Sequence, residues 1–403
     1  MSKHWIGIVL VLVFSLQTGS TVFARAEATT GLGAEPAQAF VQETSPPTTL
    51  DYLCTVRMQL RYPGLCPNLG PAGELAELAR LGMYPMRPLP TVEPVLNPPF
   101  LDFVYVGMKR DGTPLYASPA DAFGGGSASS FSPRGFVFYS YFGKYTDPDD
   151  ENSIVYRTQF GYVREQDVTL ATIAGRKGMA FSRNPDRPFG WIAVGGTCSQ
   201  TSPDSGEYSG NCYVLHQVVQ IYGSEQVGDW TWYRIGPEEW MEQRTLALVF
   251  PDGTPPEGVG EDERWIVVDL YEQTVMAYDA GLLVYATVTS TGLSGMWTRP
   301  GLHQVWVKLD ADDMTGGEVT PDGSNYYFLD NVPWVMYFDG ARALHGTYWH
   351  NKFGTQSSRG CVNLTKADAH WFYDFTEIGT WIYVHDPSGA TPTDPSMYGE
   401  GGA

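Results

Sequence analysis

The sequence predicts a mainly β protein of several small domains. Three observations predict it. Aromatic residues make up 14% of the chain, with 12 Trp and 24 Tyr, and such residues fit pleated, half-buried strands. The 45 Gly and 29 Pro break the chain into short pieces, as turn-rich β proteins require. The 403 residues exceed what one ordinary core holds, and the Pro-, Gly- and acid-rich stretch PDGTPPEGVGEDE at 251–263 separates a last set of strand signals from the rest.

The elements follow in order. Residues 1–26 read as a secretory signal: Lys3 and His4, the apolar run Trp5 to Leu16, then Ala24-Arg25-Ala26 of cleavage-site form. That run is too short to span a bilayer comfortably, so the mature chain is expected to have no membrane span and to act outside the cytoplasm. Residues 27–50 lack apolar periodicity and read as a linker. Residues 51–97 hold one cysteine pair and one helix, Gly73 to Leu81, with Leu75, Leu78 and Leu81 at helical spacing; Pro85, Pro88 and Pro90 then stop regular structure. Residues 98–172 and 173–252 each carry aromatic, β-branched runs between turn clusters, such as RGFVFYSYFGKY and YVLHQVVQIYG. Near their ends, Tyr162-Val163-Arg164-Glu165-Gln166 and Trp240-Met241-Glu242-Gln243 echo each other. One or two small β-barrel modules, or one larger β-domain, fit this stretch. Residues 264–385 begin with RWIVVDL, QTVMAYD and GLLVYATVTS, three strands with tight turns, and continue through HQVWVKL and WVMYF. The tail 386–403 has no apolar period and reads as disordered.

The formal net charge is −20, and losing Lys3 and Arg25 with the signal takes it to −22. A chain this acidic repels nucleic acid and anionic lipid. It has five cysteines. Cys54 with Cys66, and Cys198 with Cys212, are close in sequence around turns and suit local disulfides in an oxidising compartment. Cys361 is left over, as a buried inert thiol, an intermolecular bridge or a reactive thiol.

The chemistry concentrates in HGTYWHNKFGTQSSRGCVNL, His345 to Leu364. A glycine before Cys361 lets the backbone turn sharply, and amides around such a turn can point at an oxyanion. An imidazole beside a thiol takes its proton and activates it. Together His345, Cys361 and the turn suit acyl transfer. These residues resemble the YkuD-type L,D-transpeptidases, whose signature is His-Gly followed by Ser/Thr-His-Gly-Cys-hydrophobic-Asn/Arg. It stands here as His345-Gly346 and Ser358-Arg359-Gly360-Cys361-Val362-Asn363. Trp265 to Tyr278, Ser290-Thr291-Gly292, Thr298-Arg299-Pro300-Gly301, Asn331-Val332-Pro333-Trp334 and Tyr348-Trp349-His350 resemble further family features. The resemblance implies a β-sandwich with short helices for residues 264–385, and the modules before this domain are loosely similar to bacterial SH3-like barrels.

The resemblance implies a peptidoglycan L,D-transpeptidase that forms 3→3 cross-links between stem peptides through a Cys361 thioester, with His345 as base and no metal or cofactor. Gly346, Ser358, Arg359, Gly360, Asn363, Tyr348, Trp349 and His350 are the candidate oxyanion and substrate-binding residues. The modules would bind glycan or wall polymer or flank the cleft. Arg359 stands where the family usually has His. It cannot carry a proton, so it is expected to favour the thiolate by its charge or to grip a substrate carboxylate. His303 and His370 read as structural, and Asn363 as readily finishes a turn as touches substrate. Rival readings are a non-catalytic wall-binding protein, an L,D-carboxypeptidase on the same scaffold, and a metal site of His345, His350 and Cys361, whose spacing matches no common zinc pattern.

Overall fold

The computed structural model describes residues 71–317 and 325–398. The expected signal and linker, and the Cys54 and Cys66 pair, lie outside the described residues. The first helix is Pro71–Arg80, close to the stretch marked by Leu75 and Leu78.

The protein is mainly β, and two sheets build the C-terminal domain. One runs in the order Thr91–Val92, Met179–Phe181, Leu282–Val288, Thr274–Asp279, Arg264–Asp269, Trp381–His385, Gly301–Gln304. The other runs Val362–Thr365, Arg342–Thr347, Tyr327–Asp339, Phe136–Asp147, Val104–Met108, Val168–Leu170. Ile266, Val268, Val275 and Ile382 of the first sheet pack against Trp334, Met336, Leu344, Val362 and Leu364 of the second. Helix Lys366–Phe375 adds Ala369 and Phe372 to this core. Burying these side chains is worth about 1.5–3 kcal/mol each for the larger ones.

The run HQVWVKL does not form one strand. Gly301–Gln304 ends before Val305, and Val307–Gly316 begins after Trp306 and pairs with Tyr327–Asp339. Val305 instead bonds the Thr380 turn, its N–H donating to Thr380 O and its carbonyl accepting from Gly379 N, so the chain passes from one sheet to the other at this residue.

The module boundaries read from the sequence are crossed by ladders. Strand Phe136–Asp147 pairs in parallel with Tyr327–Asp339, with Tyr327 opposite Phe136 and Leu329 opposite Phe138. Residues 98–172 thus extend the sheet of the C-terminal domain, while keeping a cluster of their own around Val106, Tyr139, Tyr156 and Val163. Met179–Phe181 likewise pairs with Leu282–Val288. An unpaired strand edge attracts a partner, and no sequence pattern says which. Residues 189–249 have a cluster of their own around Ile192, Val219, Ile235, Met241 and Leu248, Cys198 and Cys212 are joined there by a disulfide, and Phe189, Trp191, Ala247 and Val249 pack against Trp265, Met276 and Val288 of the C-terminal domain. The sequence echo has a structural counterpart: Gly161–Arg164, a 3₁₀ turn and Val168–Leu170 match Glu239–Glu242, a 3₁₀ turn and Leu246–Val249.

Asp368 ties the Lys177-Gly178 segment to the C-terminal domain. Its carboxylate, 0% exposed, accepts from Lys177 N, Gly178 N, Tyr285 OH, Thr287 Oγ1 and Thr365 Oγ1 at 2.7–3.2 Å. The tail is ordered to Tyr398, contrary to the reading of 386–403 as disordered. Asp386 accepts from Ser388 N and Thr391 N, and the Tyr398 ring lies 6.4 Å from that of Trp297. These local side-chain-to-backbone bonds need no apolar period, so hydrophobic patterning does not reveal them. Among the described residues no helix is long and apolar enough to cross a membrane.

Candidate active site

His345 lies in strand Arg342–Thr347, and Cys361 sits one residue before strand Val362–Thr365. The two strands pair in parallel, Leu344 with Val362 and His345 with Asn363. Residues sixteen apart in sequence thereby reach one cleft of about 130 Å³, lined by both His345 and Cys361. Both are 1% exposed.

Burial governs their charge. It pushes the Cys361 thiol up to about 11, against the lowering effects of the Ala343 N–H and the Arg342 charge. It pushes His345 down to about 4. At neutral pH the pair is therefore a thiol and a neutral imidazole, not an ion pair. Cys361 Sγ lies 3.8 Å from Ala341 O, just before the neighbouring strand. His345 Nδ1 lies 3.3 Å from Gly346 O. A carbonyl only accepts, so Nδ1 carries the proton and Nε2 keeps its lone pair.

Gly360 precedes Cys361 at φ 120°, a left-handed conformation that glycine adopts without strain. A Cβ there would lie 3.1 Å from Arg342 Nε. The Gly360 amide donates to Ser358 Oγ at 3.1 Å, and Ser358 Oγ–H donates to Cys361 O at 2.6 Å. In this conformation the Gly360 N–H is spent inside the turn rather than offered to an oxyanion, and Ser358 clamps the turn while also lining the cleft.

The structure sorts the other expected residues. Arg359, Asn363 and Trp349 line the cleft. Gly346 lies behind it, supplying the carbonyl to His345, and a Cβ there would meet Pro333 Cγ at 2.9 Å. Tyr348 is not a cleft residue. It is 1% exposed, stacks on Tyr105 at 3.4 Å and donates to Asp330 O; just past strand Arg342–Thr347 it turns into the core, while its neighbour Trp349 lines the cleft. His350 stands behind Asn363. Its Nδ1 accepts from Lys352 N, and its Nε2 lies 2.9 Å from the Asn363 amide. A neutral ring has one acceptor nitrogen, so Nε2 carries the proton and the amide oxygen belongs opposite it, which also gives the buried Asn363 Oδ1 a partner. His303 and His370 lie outside the cleft, among Phe338 and Trp334 respectively. No group of three or more His, Cys, Asp or Glu is placed to hold a metal ion among the described residues.

Arg359 does not aim its charge at the thiol. Its Nη1 donates to Asn325 O at 2.7 Å, and its guanidinium lies 4.7 Å from the Tyr327 ring centroid. The cation acting on Cys361 is Arg342, which the sequence did not single out. Phe136, Tyr327, Leu329 and Ser357 complete the cleft wall. Phe136 comes from the 98–172 stretch, and nothing in its aromatic run marks it, because its place depends on the parallel pairing with Tyr327.

Residues 263–384 match the family model of YkuD, the L,D-transpeptidase catalytic domain. This stretch is a YkuD domain. The chain is 25% identical over 166 residues to YciB of Bacillus subtilis (strain 168), whose name gives L,D-transpeptidase as an inferred activity; the match covers 34% of this chain and 76% of YciB. Among solved structures, an L,D-transpeptidase from Stackebrandtia nassauensis is 26% identical with a TM-score of 0.24, over 31% of this chain and 57% of that one. The catalytic domain of the E. faecium L,D-transpeptidase is 25% identical with a TM-score of 0.28, over 31% of this chain and 98% of that one. The E. faecium domain has also been solved acylated by ertapenem, at 25% identity and a TM-score of 0.27, over 31% of this chain and 98% of that one. The YkuD domain holds both strands of the His345 and Cys361 pair, and the residues before it supply Phe136.

Proposed function

We propose that this chain is a cysteine acyltransferase of the bacterial cell wall, an L,D-transpeptidase that joins stem peptides by 3→3 cross-links outside the cytoplasm. The observation that carries this reading is the convergence of a buried thiol and a neutral imidazole, with its Nε2 free to accept, on one cleft of a YkuD domain.

The chemistry follows from the charge states. A thiol at about 11 is almost wholly protonated at neutral pH, so attack needs proton transfer to His345 Nε2 as the sulfur adds to the carbonyl. The carbon–nitrogen bond to the terminal D-Ala then breaks, and the imidazolium returns the proton to the leaving amine. The side-chain amine of a second stem attacks the thioester, forms the new amide and releases the thiol. Gly346 O holds the imidazole in the tautomer that this cycle uses. Phe136, Tyr327, Leu329 and Trp349 give the cleft its apolar walls, and the modules before the domain help hold the wall polymer.

Two measurements test the proposal. Ertapenem should add one mass increment to the wild-type protein, mapped to Cys361, and none to Cys361→Ser. Incubation with disaccharide-tetrapeptide should give cross-linked dimers with loss of D-Ala, read by mass spectrometry; tripeptide monomers alone would assign hydrolysis instead. A wild-type protein that takes up no ertapenem would remove the acyltransferase reading.

A further inference from the structure

Behind the nucleophile turn lies a charged cluster that the mechanism above does not use. Arg342 opens the strand that carries His345, and its side chain is 7% exposed. Its Nη1 donates to Asp339 Oδ2 at 2.9 Å. Arg299 Nε donates to the same oxygen at 2.9 Å, and Arg299 Nη2 pairs with Asp339 Oδ1. Two guanidiniums share one carboxylate, so the cluster keeps one net positive charge. Arg342 Nε is buried with no hydrogen-bond partner, and it packs against Gly360, where a Cβ would come within 3.1 Å of it. The Arg342 guanidinium lies 5.2 Å from the centroid of the Tyr398 ring, and that ring in turn touches Trp297.

A buried, unpaired donor on a charged side chain is costly. Here it is held in place from three sides, by Asp339, by the turn and by the C-terminal segment. An ordinary buried ion pair is neutral and satisfied; this one is neither, and its excess charge abuts the residue before Cys361. We propose that Arg342 is a positioning residue of the acyl-transfer site, supplying from beneath the Gly360 turn the fixed positive charge that favours the Cys361 thiolate. Asp339 holds it, Arg299 keeps the cluster's net charge at plus one, and Tyr398 keeps water off its outer face. This inference rests on Cys361 as the nucleophile. It gives the job expected of Arg359 to a residue on the other strand, and a guanidinium does that job at every pH the protein meets.

Charge arithmetic gives signs that a merely structural role does not. Alkylation by iodoacetamide, measured without substrate from pH 8 to 10, reports the thiolate fraction. Arg342→Met removes the charge and keeps the stem, so alkylation at fixed pH should fall about tenfold, a shift of about one pH unit. Arg342→Lys should keep most of the wild-type rate. Arg299→Gln, at a side chain 30% exposed and so tolerant of change, leaves a neutral Arg342–Asp339 pair and should slow alkylation in the same direction. Asp339→Asn adds a net positive charge and should speed it. Arg359→Met changes the cleft wall and so reagent access, but should leave the pH dependence of alkylation unshifted. Tyr398→Phe keeps the ring and should leave it unmoved, whereas Tyr398→Ala opens the cluster to solvent screening and should slow it. If Arg342→Met does not fold, the opposite signs of Arg299→Gln and Asp339→Asn decide. Equal rates in those two variants, or a shift of the pH dependence in Arg359→Met with none in Arg342→Met, would overturn the inference. Ertapenem uptake by the wild type tests the nucleophile separately, so failure of one reading is distinguishable from failure of the other.

Discussion

His345 should make the folded state sensitive to acid, and the size of the effect follows from its burial. The ring is 1% exposed, and desolvation lowers its pKa from 6.5 to about 4. As pH falls below 6.5, the unfolded chain gains a proton on this ring that the folded chain refuses until about pH 4. The unfolded state then binds more protons, so stability declines with acidification. Above pH 6.5 the contribution is fully present; it is lost between 6.5 and about 4. At 1.36 kcal/mol per pH unit over that interval, the loss comes to about 3 kcal/mol. The perturbation that isolates it is His345→Gln, which cannot titrate. Urea unfolding followed by tryptophan fluorescence at pH 7, 6, 5 and 4 should show the wild type losing about 3 kcal/mol more than the variant across this range. Other titrating groups are common to both proteins and cancel in the difference. His350, also lowered to about 4 by burial, is among them. A difference that stays constant within about 0.5 kcal/mol would show that His345 is not held neutral by burial. The burial account of the neutral imidazole would then fall; an ion pair would show instead as a wild type that gains stability over the variant on acidification. The same reasoning sets the activity profile: ertapenem acylation of the wild type should show no loss of a base near pH 6.5 and should fall only as pH approaches about 4.

Three further changes probe the frame around the site. Asp368→Asn should lower stability by about 3 kcal/mol, seen as a drop of several degrees in Tm, because one carboxylate oxygen faces Gly178 N–H and the other Lys177 N–H, so either amide orientation leaves one backbone donor against an NH₂ group; an unchanged Tm would refute it. Gly360→Ala should cut ertapenem acylation at least about tenfold while costing about 1–2 kcal/mol of stability, since alanine at φ 120° is strained and its methyl meets Arg342 Nε; wild-type kinetics would show that the turn is free to move. Phe136→Ala should lower kcat/KM for tetrapeptide by about three- to tenfold with a stability change under about 1 kcal/mol, because the ring is 48% exposed and lines the cleft; an unchanged kcat/KM would take the 98–172 stretch out of substrate binding.

Much of the protein is legible in its sequence because local chemistry carries it. Alternation and turn residues mark the strands from Arg264 to Val288. The spacing of leucines marks the first helix, and Gly360 before Cys361 announces a sharp turn that the structure shows at positive φ. The short loop between Cys198 and Cys212 favours their bond, which is present. His345 and Cys361 stand out by residue type and by the motif around them. Tertiary structure alone decided what depends on which strands become neighbours. Parallel pairing of Tyr327 with Phe136 brings a distant aromatic to the cleft. The chain leaving strand Arg342–Thr347 sends Tyr348 into the core and Trp349 to the cleft. The guanidinium against the Gly360 turn is that of Arg342, nineteen residues before Cys361, while Arg359, two residues away in sequence, is held by Asn325 and Tyr327. Sequence distance fixes which residues can share a turn; the field at a buried sulfur is set by distance in space and by the water that packing excludes, and both are settled only when the sheets close.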